Sequence, residues 1–313
     1  MLLLRITSIL SVSALIGMGV AVALGTQLPS DQIVYEARKT RDNYDLHLLD
    51  VRWRVDVPLT RTPYGERAPT WSPDGTQIAY ASDATGNWEI YALAITQRRT
   101  PPVQLTTSGA RSMNPAWSPD GTQIVYDTSK DGNLELYLLD VTTQPGATTV
   151  TVTGEQRLTM ITGTDEQAAW SPDASRLAFA SYRDGDLDIY VMDLATEEVR
   201  NITGNISDNE WTAAWSPDGE TLTFTSSRDT FWQVYVIDPD APEAVSTLTA
   251  FGEDVAGGRW SPDGRWLMVE KYDRNGRRSL YRIPTGKNGQ GASALQRLTL
   301  APSDDRAAAW RPR

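Results

Sequence analysis

The chain is 313 residues long, which is enough for one large all-β domain or two smaller domains. Forty acidic against 29 basic side chains leave a net charge of -11, which argues against a general nucleic-acid binder, since neutralising phosphates takes a basic patch; it fits a basic partner, a cation, or an acidic surface that serves solubility alone. With no cysteine and one histidine, disulfides, thiolate zinc sites, thiol nucleophiles and a lipid-modified leader are excluded as well.

The first predicted element is apolar. Arg5 precedes the uncharged run ITSILSVSALIGMGVAVALG at residues 6–25, and polar residues resume at Gln27, Ser30 and Asp31. The run fits a signal-peptide core with a small-residue cleavage site near residues 21–25, or an uncleaved 20-residue anchor that contacts the membrane through residues 6–25. Either reading places residues 31–313 outside the cytoplasm, as a membrane-anchored, periplasmic or secreted domain, with 26–30 as a short linker.

Next come three strand-like segments in residues 33–60: IVYEA, DLHLLDV and VPLT. From there the chain repeats. Trp-Ser-Pro-Asp-Gly begins at Trp71, Trp117, Trp215 and Trp260, and again at Trp170 with Ala174 in the glycine place; Trp310 opens a degenerate sixth copy. Intervals of this size correspond to one four-stranded antiparallel unit. In each unit a short inner strand ends at the Trp. Ser-Pro-Asp-Gly then turns the chain: Pro fixes φ, Asp bonds its own backbone and Gly accepts positive φ. A second strand (Ile78/Tyr80, Ile124/Tyr126, Leu177/Phe179, Leu222/Phe224), a third such as LELYLLD or DIYVMD, and a short outer strand ending in QLT, RLT, NIT or TLT complete it. Residues 33–60 lack a Trp strand before them, while RAAAW at 306–310 is a first strand with nothing after it. The two termini together make one blade. The expected fold is therefore all-β: a six-bladed β-propeller over residues 31–313, whose composite blade is closed by the N- and C-terminal strands.

WSPDG followed by IAYAS, IVYDTS or LAFAS, then an IY-x-x-D strand and RLT, resembles the TolB-type, WD40-like propeller repeat across residues 31–313. The resemblance implies the fold far more than an activity. TolB proper carries an additional α/β domain ahead of its propeller; here the apolar run leads almost directly into the first strand, so that domain is not expected.

Residues used once per blade are expected to build the ring. The Trp residues should pack between blades, and Asp74, Asp120, Asp173, Asp218 and Asp263 should brace their turns. The irregular positions carry the functional expectation. Five residues before each Trp stand Glu66, Ser112, Asp165, Glu210, Val255 and Asp305, which predict a negative ring at the channel mouth. One residue later stand Arg67, Met113, Glu166, Trp211, Ala256 and Arg306, with Trp211 as an aromatic anchor. Phe231 and Trp232 add two aromatics beside it, of which strand alternation buries one. Binding is therefore expected at Glu66, Arg67, Asp165, Glu166, Glu210, Trp211, Asp305 and Arg306. The expected function is an extracytoplasmic scaffold for a protein or peptide, basic by charge complementarity. The alternative is a carbohydrate-binding or carbohydrate-cleaving propeller stacking sugar on Trp211, with Glu166 or Glu210 as working carboxylates. His47 lies inside a strand, which disfavours a Ser-His-Asp triad. No cofactor, metal or catalytic residue is expected.

Overall fold

Alternation with tight Gly/Asp turns leaves these segments one way to bury their apolar side chains, which is to stack sheet against sheet. The structure, a computed structural model, describes residues 31–312 apart from 39, 41–42, 96–99, 144–148, 205–207, 286–294 and 300–303. The expectations for the segment 1–25 and the linker 26–30 lie outside the described residues.

Among the described residues, 24 strands form six four-stranded antiparallel sheets. Blade I takes β1 (Gln32–Arg38), β2 (Tyr44–Asp50) and β3 (Val55–Pro58) from the start of the domain. Blade II is β4 (Glu66–Trp71), β5 (Gln77–Ser82), β6 (Glu89–Ala94) and β7 (Val103–Gln104). Blade III is β8 (Ser112–Trp117), β9 (Gln123–Thr128), β10 (Glu135–Thr143) and β11 (Val150–Arg157). Blade IV is β12 (Asp165–Trp170), β13 (Arg176–Ser181), β14 (Asp188–Asp193) and β15 (Val199–Asn201). Blade V is β16 (Glu210–Trp215), β17 (Leu222–Ser226), β18 (Gln233–Ile237) and β19 (Val245–Thr247). Blade VI is β20 (Val255–Trp260), β21 (Trp266–Tyr272), β22 (Arg278–Pro284) and β23 (Gln296–Arg297). The last strand, β24 (Arg306–Trp310), pairs with β1 through Ile33↔Trp310 and Val34↔Ala309 and becomes the inner strand of blade I. The composite blade is thus as the sequence predicts. Arg311 locks it: its guanidinium bonds Gln32 Oε1 at 2.6 Å and the Gly75 carbonyl at 2.6 Å, and lies over the Trp71 ring.

The core is six seams rather than one centre. Each apolar cluster joins the second and third strands of one blade to the Trp strand of the next, as where Val34, Leu46 and Leu48 of blade I meet Trp71, Ile78 and Tyr80 of blade II. Such a sheet is covered on both faces, so β5 (QIAYAS) and β6 (EIYALA) are buried at every position. Apart from Gln77 and Glu89 at the strand starts, both faces are therefore apolar or small where a half-exposed strand would alternate with polar residues. The Trp indoles bond across the seams. Nε1–H of Trp71, Trp170, Trp215 and Trp310 donates to the carbonyls of Ala309, Ala116, Ala169 and Arg259, each in the preceding blade, at 3.1–3.3 Å.

Two further devices repeat. The turn aspartate accepts from the Ser hydroxyl two residues earlier at 2.6 Å in all five complete turns. In the outer strand's Leu-Thr or Ile-Thr ending, the Thr hydroxyl accepts the N–H of a third-strand residue, as from Leu46, Ile90, Leu136, Ile189, Val234 and Leu280. In blades II, III and IV it also donates to a buried acid that opens the third strand: Glu89, Glu135 or Asp188. His47 occupies the third-strand aromatic place of blade I, tilted against Tyr35 and hydrogen-bonded through Nδ1 to Asp56 at 3.0 Å.

Candidate functional site at the channel mouth

Each inner strand carries a β-bulge, an extra residue opposite its second strand, between Arg67 and Thr70, Met113 and Ala116, Glu166 and Ala169, Trp211 and Ala214, and Gly257 and Arg259. The β24 register against β1 shifts likewise. The bulge residue has positive φ in all six blades: Ala68, Asn114, Gln167, Thr212, Gly257 and Ala307. Its freed N–H turns to the preceding blade in four of them. Ala68 and Ala307 donate to Glu36 and Glu270 at 2.6 and 2.7 Å, Gln167 to Asp127 at 3.1 Å and Gly257 to Thr225 at 3.0 Å.

The bulge decides where the predicted site residues go. An extra residue shifts side-chain parity by one, so the acid five positions before the Trp returns to the Trp's side of the strand. Glu66, Asp165, Glu210 and Asp305 stand at the expected level, at the start of their inner strands, but all are at most 2% exposed. Glu66 accepts from the hydroxyls of Thr60 and Thr62 in the loop from blade I. Asp165 is held by Arg183 at 3.0–3.1 Å. Glu210 accepts from Ser226 at 2.7 Å, while its second oxygen is buried without a hydrogen bond. Burial, reinforced by the charges of Asp188 and Asp208, pushes the Glu210 carboxyl up to about 8. These four acids sit within the ring wall and present no open negative surface.

The next position along separates into two sectors. In blades I and VI the charges are satisfied internally, while in blade II the Arg67 guanidinium packs on the Tyr44 and Trp88 rings with its Nε buried and without a hydrogen bond. Arg306 donates to Glu36 at 2.8 Å, and Arg278 reaches Glu270 at 3.3 Å and Asp304 at 3.1 Å. Arg67 and Arg306 both lie over the Tyr44 ring, with centroid distances of 4.7 and 4.0 Å. In blades III and IV, burial and the nearby charge of Asp127 raise the pKa of Glu166, and burial raises that of Asp127. The sequence reading missed Glu36, Asp127 and Glu270, all buried or nearly so on second strands. Each stands at a matching second-strand position, one that an alignment of the blades by their second strands would have brought together.

Blades IV and V open to solvent. Trp211 is 39% exposed and stacks on Trp232 with ring centroids 4.7 Å apart and planes 23° from parallel. Phe231 beside it is 39% exposed and Tyr182 on the neighbouring blade 46%. Of the two aromatics weighed from sequence, Phe231 is therefore the exposed one and Trp232 the half-buried support. The turns holding them are braced by hydrogen bonds and ring contacts. Tyr190 and Tyr235 donate to Asp184 and Asp229, and Arg183 and Arg228 lie over those same Tyr rings at 4.6 and 4.2 Å. Asp184 and Asp229 remain exposed beside the aromatic group while accepting these hydroxyls, and the exposed Glu253 is ion-paired with Lys271. The arrangement can take an apolar or aromatic side chain on the indole face and a cation at its margin.

Among the described residues no three His, Asp or Glu side chains gather into a metal-holding group. A cavity of about 370 Å³ lies elsewhere, lined by Arg176, Val191, Asp193, Glu198, Arg200 and Asp240, where Asp240 ties Arg176 to Arg200.

The comparisons agree with this geometry. The TolB from Acinetobacter baumannii superimposes with a TM-score of 0.74 at 24% identity, covering 94% of this chain and 70% of that one. A TolB-assigned protein of Agrobacterium tumefaciens does so at 0.68 and 21% identity, covering 90% and 99%. The hydrazine synthase of Kuenenia stuttgartiensis contains a similar propeller, at 0.69 and 16% identity, over 94% of this chain and 48% of that one. No curated protein sequence matches the chain. The sequence profile of the TolB beta propeller domain matches residues 30–167 and 150–312, nearly the whole of the ring described above. The chain belongs to the TolB β-propeller family.

Proposed function

We propose that this protein is an extracytoplasmic scaffold that binds a protein or peptide over the blade IV–V sector of the channel mouth. The observation that carries the reading is the Trp211–Trp232 stack with exposed Phe231 and Tyr182, held on ordered turns and bordered by acids. Large aromatics fixed at a surface bind with little loss of side-chain entropy, and exposed aromatic groups of this kind mark interaction sites. The acidic margin and the net charge of -11 favour a partner segment that alternates apolar and basic side chains. The extracytoplasmic placement rests on the uncharged run 6–25 together with the family.

The carbohydrate reading asks Glu210 to touch a sugar, and that carboxyl is fully buried. Only the half-buried Glu166 remains for that chemistry, and the paired-carboxylate geometry of glycoside cleavage needs two.

The test is capture from an envelope extract by the wild type, by Trp211→Ala/Phe231→Ala, and by Arg176→Ala on the opposite face as a control. Loss of the captured set in the double variant alone is the expected result. Identical sets from all three proteins would sink the reading.

A further inference from the structure

The end of the propeller opposite Trp211 carries an exposed aromatic of its own. The β2–β3 turn reads Val51-Arg52-Trp53-Arg54-Val55, and Trp53 is 68% exposed with Val55 at 49%. Nothing in the ring needs an indole there. The turn is nonetheless held firmly: Trp53 N–H donates to Asp50 Oδ1 at 2.9 Å, and the Arg54 guanidinium donates to the Arg297 carbonyl of blade VI at 3.0 Å. Arg52 lies over the Trp53 ring with 5.1 Å to its centroid. Arg282 of β22 is near enough to Arg54 and Asp31 for both charges to act on it. An indole flanked by guanidinium groups is thus displayed on a protein whose overall charge is strongly negative.

Its position in the chain identifies what lies opposite it. Val51 N–H donates to the Asp31 carbonyl at 2.8 Å, so the turn is hydrogen-bonded to the residue where the described chain begins. Asp31 follows the uncharged run 6–25 by six residues, a reach of about 20 Å at full extension. A 20-residue apolar helix is about 30 Å long, the thickness of a bilayer's hydrocarbon core. With that run in a membrane, the Arg52–Val55 turn is the part of the propeller tethered nearest the headgroups. Tryptophan prefers that interfacial layer, and arginine is drawn to anionic headgroups while the rest of this acidic protein is repelled.

We propose that the Arg52-Trp53-Arg54-Val55 turn is the propeller's seat on an anionic lipid surface, which holds the mouth bearing Trp211 away from the bilayer. The proposal rests on reading residues 6–25 as an uncleaved anchor, and it is independent of what binds at Trp211.

The absence of cysteine makes the test clean, because an introduced thiol is unique. The full chain carrying Val55→Cys or Met160→Cys, the latter position 78% exposed at the opposite end, is nitroxide-labelled. Each is reconstituted with vesicles of phosphatidylcholine containing phosphatidylglycerol, and collision with lipid-soluble oxygen is compared with collision with an aqueous nickel chelate. The expected result is a several-fold higher oxygen-to-chelate ratio at position 55 than at 160. Adding Arg52→Glu and Trp53→Ser is expected to bring position 55 down to the value at 160 while the chain still sediments with the vesicles. Equal ratios at the two positions, or a ratio at 55 unmoved by that double change, would overturn the seat while leaving the anchor. A full chain that stays in the supernatant would overturn both.

Discussion

Single carboxyls in this protein titrate in opposite directions according to whether hydrogen bonds or burial dominate. Asp173 accepts from the hydroxyls of Ser171 and Ser175 and the Ser175 N–H, which hold it down to about 2. A depressed carboxylate stabilises the fold above its unfolded value near 3.8, and that contribution is lost as pH falls towards 2. Glu210 works the other way. Its folded form keeps a proton up to about 8, so between 4.5 and 8 the folded chain holds a proton that the unfolded chain has released, and stability declines as pH rises. Glu210→Gln supplies a neutral side chain of the same shape. Urea unfolding is expected to show the variant matching wild type at pH 4.5 and exceeding it at pH 8.5. A variant less stable than wild type at pH 8.5 would mean that Glu210 is held as a carboxylate.

The strand and its ending are the scale at which the blade is built. The Thr106 hydroxyl accepts from Ile90 N–H at 2.8 Å and donates to Glu89 at 2.5 Å, so one side chain joins outer strand, third strand and a buried acid. Thr106→Val keeps the shape and removes both bonds. Leaving a buried amide and carboxylate short of a partner is expected to cost about 2–4 kcal/mol in chemical denaturation, against under about 1 kcal/mol for Thr106→Ser. Strand identity was legible in the sequence because the Trp-Ser-Pro-Asp-Gly turns and Leu-Thr endings recur in nearly every unit, and even the two-part blade I followed from counting them. The direction of the Glu66, Asp165, Glu210 and Asp305 side chains was not. Counting back from the Trp assumes unbroken alternation, and the bulge breaks it. Only blade VI advertises the bulge, with Gly257-Gly258; elsewhere Ala68, Asn114, Gln167, Thr212 and Ala307 adopt positive φ without the glycine that would signal it. Trp211 escaped the error because it was chosen for departing from the repeat. Trp232 was legible as a neighbour of Trp211, but its stacking on that indole depended on how two blade V segments meet in space, which alternation within one strand does not contain.

The whole ring depends on its last strand. Without β24, β1 presents an unpaired edge, the seam between blades VI and I loses Trp310, and Arg311 no longer joins Gln32 to Gly75. A chain ending before Arg306 is expected to lose its single cooperative thermal transition and to associate through the open edge, which melting and size-exclusion chromatography would detect. A monomeric truncated chain melting within a few degrees of wild type would show that the ring holds without closure. The same closure sets an order of events during synthesis. Ile33 must wait for Trp310, and at roughly 5–20 residues per second that interval is on the order of tens of seconds. Blades II to V are complete well before then and can stack on one another as they emerge. Blade I spends that time as a three-stranded sheet whose inner edge, at β1, is bare as well as its outer one, the segment of the nascent chain most in need of a chaperone.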